Sequence, residues 1–562
     1  MSKYVTESIT EYSGRQRAQA LLDHETYREL LHPFDGIESP HLEPQGIVPQ
    51  SDDGVIVAKG AIKGQPVVVI SIEGKFQGGG IGEVSGAKIA GALEMVLEDC
   101  QSGHHAIPIL LYDTGGVRLQ EANYGLLAIA EICSAIVALR KYVPVVGVIP
   151  GKIGAFGGMS ITAGLCSSII MTKEGRLGLN GPEVIEQEAG IREFDSKDRK
   201  LIWRTIGGEQ RTETGFADHL IEDDLDSLRE VILSLIDRGT SSPRAEKINT
   251  YEAFLAKIDP EIRLSALVAR HKWKIQDSHE QVIKKYSLQK NESMSRGRIW
   301  FDLLREDATN ISNLSSLCVA DHELDGKKAR FISVVPDPEN KFSRARNGEL
   351  GLQEGWAIAK HVWEAILEDR EVEKRAIIAI VDVPSQAYGY HEELLGIHQA
   401  CAAAVNAYAS ARFFGHPVIS FIPGNAISGA FLAHGMQANR LIALNDQHVN
   451  VHVMSKKSAA RITQRSIEEL ERAAKKVTAM AYDIESFEKL GALFSLIDGV
   501  NADNPTDKDK ECIYEEIKKA VMDVESSGIT DLRNRLTSVN ALNGGRTASI
   551  AVRKKLNEQW RM

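Results

Sequence analysis

Two stretches of this chain tell nearly the same structural story, and that doubling restricts its possible folds more than any other feature. In the first half, IPILLYDTGGVRLQEA is followed by a polar-apolar run and then PVVGVIPGKIGAFGGMSITAGL. In the second, AIIAIVDVPSQAYGYHEE is followed by a similar run and then PVISFIPGNAISGAFLAHGM. Each copy reads as a buried strand, a turn marked by Gly or Pro, a long helix, a second buried strand, and a glycine-containing turn that opens another helix. The copies lie on the order of 270 residues apart, far beyond a solenoid period. Two homologous domains in tandem are the economical reading. Strands alternating with helices in this way imply an α/β fold with largely parallel sheet.

At 562 residues the chain is too long for one core. The first domain is placed at 1–285. It opens with an amphipathic helix expected from Arg15 to Leu31, then strands VIVAKGAI and PVVVISIEG, and the glycine-rich FQGGGIGEVSG leading into the helix AKIAGALEMVLED. Strand ILLYD, a helix over 121–140, strand PVVGVI, the GAFGG turn and strand SIIMT follow. The stretch KKYSLQKNESMSRGRIWFD is polar and lacks apolar periodicity, so a linker is expected over 286–296. Met294 would serve as the start of an independent polypeptide, which suggests a fusion of two once-separate subunits. The second domain, 297–562, repeats the plan with ARFISVVPD, GLQEGWAIAKHVWEAILED, IIAIVD, a helix over 391–413, PVISFI, SGAFLAHGM and RLIAL. The run IEELERAAKKVTAMAYDIESFEKLG is expected to form one charged amphipathic helix.

Several function classes are excluded on composition and motif. With 77 Asp+Glu against 66 Lys+Arg the chain has no nucleic-acid footprint as a whole, so an acidic or phosphate-bearing partner needs a local basic patch. The N-terminus lacks an apolar h-region, and no apolar run is judged long enough to cross a bilayer. Six scattered cysteines form no CxxC pair, which argues against a zinc ribbon or a disulfide framework and makes a reduced cytoplasm the default. There is no Walker A, GxGxxG or GxSxG motif. His448 and His452 resemble a metal pair, but HVNVHV reads as a strand. At about 3.3 Å per residue the two lie ~13 Å apart, too far for one ion.

What remains is backbone. A helix N-terminus carries unpaired N–H groups and a positive dipole end, and glycine there lets a ligand oxygen approach closely. Two such turns aimed at one point form an oxyanion hole. The candidates are Gly115-Gly116-Val117 and Gly157-Gly158 in the first domain, and Ala387-Tyr388-Gly389 and Ser428-Gly429-Ala430 in the second. Tight packing is the better account of any one turn alone, and four turns in matched positions of two copies bring the two readings level. Gly79 and Gly80 are further candidates for substrate contact. Arg118 is placed to hold an anion or to pair with Glu121 at i, i+3. His391, Glu392 and Glu393 open a helix beside the Tyr388-Gly389 turn and offer proton donation or dipole compensation. His398 reads as packing, and Arg344 and Arg346 as a basic loop. Lys456, Lys457, Arg461 and Arg465 form a basic run that would dock an acidic carrier or form a solvated face. Arg15 and Arg17 invite the same two readings.

The motifs resemble a known group. TGGVRLQE is similar to the GG-x-R-x-QE signature of the carboxyltransferase β subunit of acetyl-CoA carboxylase, in the crotonase superfamily. VDVPSQAYGYHEE with GNAISGA resembles segments of its α subunit. A closer resemblance is to the β and γ subunits of biotin-independent malonate decarboxylase. EGKFQGGGIGEVSGAKIAGALE, GGVRLQEANYGL and NGPEVIEQEAGI are similar to the β subunit. DPENKFSRARNGELGLQEGWA and PSQAYGYHEELLGIHQACAA are similar to the γ subunit. The carboxylase pattern is broken in informative places. There is no four-Cys ribbon and no biotin-attachment MKM, and the α-type DTPG becomes Asp382-Val383-Pro384-Ser385.

The resemblance implies two tandem crotonase-like domains of the ββα-spiral type. It implies decarboxylation of a malonyl thioester to the acetyl thioester on an acyl-carrier subunit. The thioester would sit on a phosphopantetheine-type arm derived from dephospho-CoA, with no cofactor bound by this chain. A transferase subunit would exchange acetyl for malonate, and the chain would form a homo-oligomer or part of a multi-subunit complex, with no membrane or nucleic-acid partner. Gly116, Val117, Gly157 and Gly158 would hold the thioester carbonyl, and Tyr388, Gly389, Gly429 and Ala430 would face the leaving carboxylate. The two domains would then face each other, within a chain or across a dimer. A biotin-dependent acyl-CoA carboxyltransferase and a non-catalytic scaffold are the alternatives.

Overall fold

The computed structural model describes residues 8–275 and 294–561. They form two compact units. One holds the residues up to Glu246, then Ser265–Lys274 and the chain from Ala548; the other holds Lys247–Leu264 and Ile275–Thr547. This division departs from 1–285 and 297–562 in two places. Residues 247–264 pack in the second unit, and the C-terminal helix Thr547–Trp560 runs into the first. The expected linker lies outside the described residues up to 293, and Arg296 already opens the helix Arg296–Leu304, capped by the Ser295 hydroxyl.

The first unit is built on a seven-stranded sheet in sequence order: β1 (Arg28–Leu30), β2 (Val55–Ile62), β3 (Gln65–Ile72), β4 (Ile107–Leu111), β5 (Val146–Ile149), β6 (Ser168–Thr172) and β7 (His219–Ile221). β1 to β3 are antiparallel and β3 to β7 parallel. β4, β5 and β6 are buried at every residue, which is why they read as unbroken apolar runs. Helices Glu83–Gln101 and Ala122–Leu139 make the crossovers. The latter corrects one expectation. Leu119–Leu139 is long and apolar enough to span a membrane, yet every residue of Ala122–Leu139 is buried inside the fold, because a helix enclosed in a large core is apolar on every side. The expected helix Arg15–Leu31 is shorter, Gly14–Leu21. A turn closed by the Thr26 N–H on the Asp23 carbonyl ends the helical path, and Arg28–Leu30 becomes an edge strand.

The second unit repeats the plan with six main strands in the order β15-β13-β11-β10-β9-β8: β8 (Leu317–Leu324), β9 (Lys327–Val334), β10 (Ala376–Ile380), β11 (Val418–Ile422), β13 (Arg440–Leu444) and β15 (Leu493–Ile497). The two-residue strands β12 (Ala426–Ile427) and β14 (Val451–His452) pair beside them. β8 and β9 form the antiparallel hairpin and the rest is parallel. Both units therefore share the hairpin–helix–strand–helix–strand–helix–strand order expected of crotonase-like domains.

Two helical expectations change here. The helix over 391–413 is two, Tyr390–Leu394 and Ile397–Phe413, divided at Gly396 with φ 81°. The single helix after Ser466 is three short pieces, Ile467–Ala474, Thr478–Met480 and Ile484–Glu488. Val477, Ala479 and Met480 turn inward and bury, which a surface-lying helix cannot do, and the Asp483 carboxylate caps the last piece.

Candidate active site

In each unit a set of short bridges beyond the main sheet holds two turns side by side. In the first, Ile81 pairs with Val117, Thr114 with Ala155, and Ala155 with Leu177. In the second, Leu350 pairs with Gln386, Val383 with Ala426, and Ala426 with Val451. The hydrogen bonds match. The Thr114 N–H donates to the Gly154 carbonyl at 2.8 Å, and that of Val383 to Asn425 at 2.6 Å. Ile81 donates to Gly116 at 2.9 Å, and Leu350 to Ser385 at 3.0 Å. Arg118 returns a bond to Ile81 at 2.9 Å, and Ala387 to Leu350 at 3.0 Å.

This register decides which backbone donors remain free. The Gly116 N–H donates to Thr114 Oγ1 at 3.0 Å, and the Gly157 N–H to the Leu179 carbonyl at 2.9 Å. Among the described residues neither the Val117 N–H nor the Gly158 N–H has a partner. Gly158 is the first residue of the helix Gly158–Leu165, so its N–H has no intrahelical acceptor. The turns touch. A Cβ on Gly157 (φ 55°) would lie 3.2 Å from Gly116 Cα and 3.9 Å from the Val117 nitrogen, and one on Gly116 (φ 105°) 3.0 Å from the Phe156 carbonyl oxygen. Two unspent N–H groups thus flank one small space, an arrangement suited to an oxyanion.

An aspartate braces each pair of turns. Asp113 accepts the Ile153 N–H at 2.9 Å and the buried Arg17 guanidinium at 2.9 Å. Asp382 accepts the N–H groups of Asn425 at 3.0 Å and Gly297 at 3.1 Å. Each stands two residues past the end of its buried strand, in LLYDTGG and AIVDVPS. Counting from these two aspartates gives the register that motif matching missed. Gly116 and Val117 correspond to Ser385 and Gln386, whereas Tyr388 and Gly389 lie further along. Gly157 and Gly158 correspond to Ser428 and Gly429. Ala430 is one residue deeper in the helix Ser428–Ala433. Gly389 is extended (φ −174°) and caps Tyr390–Leu394, with the Glu392 carboxylate against it.

Other candidate residues acquire definite partners. Arg118 is enclosed between Asp53 (2.6 Å) and Glu121 (2.7 Å), so the ion pair is its observed role and its guanidinium is not open to substrate. Burial pushes the Asp53 carboxyl above its usual range despite the Arg118 charge. Arg15 is held by Glu29 and Asp52, and Arg17 by Asp113. Neither arginine forms a docking face. Gly79 (φ 65°) and Gly80 let their loop pack on the first turn: a Cβ on Gly79 would stand 2.0 Å from the Asp113 carbonyl oxygen, and one on Gly80 3.1 Å from Arg118 Cα.

His391 Nε2 accepts the Leu264 N–H at 3.0 Å, so the neutral ring carries its proton on Nδ1. The Tyr390 hydroxyl donates to the Leu264 carbonyl at 2.8 Å, and Arg263 lies 4.2 Å over the Tyr390 ring. His398 is buried within its helix. Arg346 donates to the Asn340 carbonyl, and Arg344 packs against Gly389. Lys456, Lys457 and Arg461 lie exposed on the helix Lys456–Ile462, with Lys456 3.4 Å from Glu471. His452 is buried against the Tyr482 ring at 3.7 Å, and burial pushes its pKa down to about 3. Among the described residues no His/Cys/Asp/Glu group could hold a metal.

Comparison with known proteins matches the two halves of the chain to different families. Residues 345–560 match the family described as malonate decarboxylase gamma subunit, and residues 13–265 the carboxyl transferase domain. Over 272 residues the chain is 40% identical to the malonyl-S-ACP:biotin-protein carboxyltransferase MADC of Malonomonas rubra, covering 46% of this chain and 84% of that one. Over 165 residues it is 38% identical to MADD of the same organism, covering 29% of this chain and 56% of that one. A chain of a Pseudomonas malonate decarboxylase hetero-tetramer, solved in complex with malonate, is 56% identical, with 48% of this chain and 98% of that one covered and a TM-score of 0.47.

Proposed function

The chain belongs to the malonate decarboxylase family, with counterparts of the β and γ subunits in one polypeptide, and we propose that it converts a malonyl thioester on an acyl-carrier protein to the acetyl thioester and CO₂. The bond between the α-carbon and the carboxylate breaks, its electron pair moves into the thioester carbonyl, and the resulting enolate takes a proton at the α-carbon. Val117 and Gly158 hold the carbonyl oxygen as charge develops on it. One well-placed donor of this kind is worth about 10²–10³ in rate, so two fixed N–H groups account for a large part of such a barrier. Gly116 and Gly157 supply the turn geometry. The observation that carries this reading is the pair of unspent N–H groups at Val117 and Gly158 on two touching turns, beside Gly116 and Gly157 whose N–H groups are used.

In the second unit Tyr388, Gly389, Gly429 and Ala430 are further candidate donors to an oxyanion. His391, with its proton on Nδ1, is a candidate proton donor within the second unit. As a carboxy-lyase component the chain binds no cofactor of its own and acts on the phosphopantetheine-type arm of the carrier. The Lys456, Lys457 and Arg461 face meets the carrier, and a transferase subunit reloads it with malonate.

The test is CO₂ release from malonyl-carrier, malonyl-CoA and malonyl-carrier plus biotinylated acceptor, assayed separately. Release from malonyl-carrier without biotin is expected. The printed names of the two Malonomonas relatives favour a second reading, carboxyl transfer to a biotin protein. Turnover that requires the biotinylated acceptor and is blocked by avidin would replace the first reading with the second.

A further inference from the structure

The last helix, Thr547–Trp560, follows a break in the helical path at Gly544, where φ is 118°. It continues no earlier helix, so its own side chains seat it in the first unit. Three of them reach carboxylates on the two crossover helices. The Arg553 guanidinium donates to Glu94 and Glu131, each at 2.8 Å, and the Trp560 indole N–H to Asp99 at 2.8 Å. Ser549 gives both its N–H (3.0 Å) and its hydroxyl (3.1 Å) to Glu83, the first residue of the helix Glu83–Gln101. Glu83 is buried, so its carboxylate depends on these donors and on His41.

Glu83 is also tied to the first donor turn. Its N–H donates to the Glu121 carboxylate at 3.2 Å, and Glu121 accepts the Arg118 guanidinium at 2.7 Å. Two residues before Glu83, Ile81 bonds through its backbone to Gly116 and to Arg118, on either side of Val117. Gly82, between Ile81 and Glu83, lies against Glu121 so closely that a Cβ there would collide with the carboxylate. Backbone and side chains thus close a ring around Val117, and Glu83 is the point where the last helix joins it.

We propose that the last helix positions the Val117 N–H, with Ser549 and Glu83 as the positioning residues, so that the first unit's donor pair is in place only while the helix is seated. The mechanical coupling stands on the contacts alone; its catalytic consequence rests on the enolate reading above. An oxyanion donor is worth most when it is fixed before charge develops. Val117 lies outside the main strands and is held on this side by the Ile81 bridge alone. Whatever steadies Ile81 therefore steadies the donor. Residues at the far end of the chain do so without approaching the reacting atoms.

The experiment uses Ser549→Ala and Arg553→Lys in the full chain, read by amide hydrogen exchange and by kinetics on malonyl-carrier. Ser549→Ala removes one donor to a buried carboxylate. Arg553→Lys keeps the charge and loses the fork that spans Glu94 and Glu131. Exchange at the Ile81 and Arg118 amides should rise by about 10–100-fold, the worth of one hydrogen bond to a charged group. The Ala155 and Gly157 amides, which donate to Arg176 and Leu179, should stay within about twofold of the parent. The kcat should fall about tenfold with KM within about twofold, and Ser549→Thr should restore it. Unchanged exchange at Ile81 and Arg118 would overturn the coupling. So would equal acceleration at all four amides, the mark of a general loss of stability. Parent kcat in both variants, where Gly158→Val abolishes turnover, would overturn the catalytic consequence. Full turnover in Gly158→Val would refute the enolate reading instead, and exchange alone would then decide the coupling.

Discussion

The first unit's turns and the second unit's turns hang on the same bridges but end in different chemistry. Where the first has Gly116, Gly157 and Gly158, the second has Ser385, Ser428 and Gly429. The first carries no side chain at any of these three places. The second keeps hydroxyls at two of the three places, one of them, Ser428 with φ 64°, in a left-handed conformation that costs an L residue about 1–2 kcal/mol. A duplicated scaffold thus fixes where the two turns stand, and the residues at three positions differ between the copies.

The sharpest way to break this comparison is Gly158→Val. Its position at the start of a helix tolerates a side chain in the backbone, but a branched one should keep the thioester from the donors. A fall in turnover of about 10² or more, with the melting temperature little changed, is expected from paired kinetics and calorimetry.

The next largest effect concerns the braces. Asp113→Ala strands the buried Arg17 guanidinium and should cost about 3–5 kcal/mol by denaturant unfolding. Asp382→Ala removes only an acceptor for two backbone N–H groups, and about 1–3 kcal/mol is expected. Equal losses at the two sites would show that the Arg17 charge contributes nothing.

Gly157→Ser copies the second unit's residue into the first. The added Cβ meets Gly116 Cα at 3.2 Å in a left-handed backbone, and a loss of about 1–2 kcal/mol in unfolding free energy is expected. The smallest effect is one of pH. Burial lowers the His41 pKa, but the Glu83 carboxylate at 2.6 Å outweighs it and holds the ring above its ordinary 6.5. The stability gained from that pair is therefore fully present below about pH 6.5 and fades as pH rises through the folded pKa. The melting-temperature gap between the parent and His41→Gln should narrow between about pH 6 and pH 9. A gap that widens would reverse the assignment of charge.

Much of the fold was legible because buried parallel strands leave long β-branched runs. β2, β6 and β13 fall on VIVAKGAI, SIIMT and RLIAL residue for residue. β8 escaped because Asp321, His322 and Glu323 occupy its open end, where the hairpin needs no apolar face. The helix expected to run on to Leu31 looked continuous because Leu30 and Leu31 keep its apolar spacing, although Leu30 buries from a strand and Leu31 from the bend after it. At the site, the glycine pairs pick out the two touching turns of the first unit, and in the second Tyr388-Gly389, which lies three residues past the matching bridge. Local motif likeness carries no hydrogen-bond register, whereas the aspartate after each strand does. Which N–H groups were already spent depended on partners such as Leu179 and Thr114, and no spacing rule reaches those.

The crossing of chain segments between the two units has a genetic consequence. A cut anywhere within 276–293 would yield two products, and neither would contain a whole unit. The first product would carry residues 247–264, whose Tyr251 stacks on Trp356 at 4.6 Å, without the sheet they belong to. It would also lack Arg553, leaving Glu131, only 3% exposed, as a buried acid stripped of its cation. Separate genes for the halves would need matched, simultaneous synthesis to avoid orphaned products. A single reading frame makes that one-to-one dosage automatic.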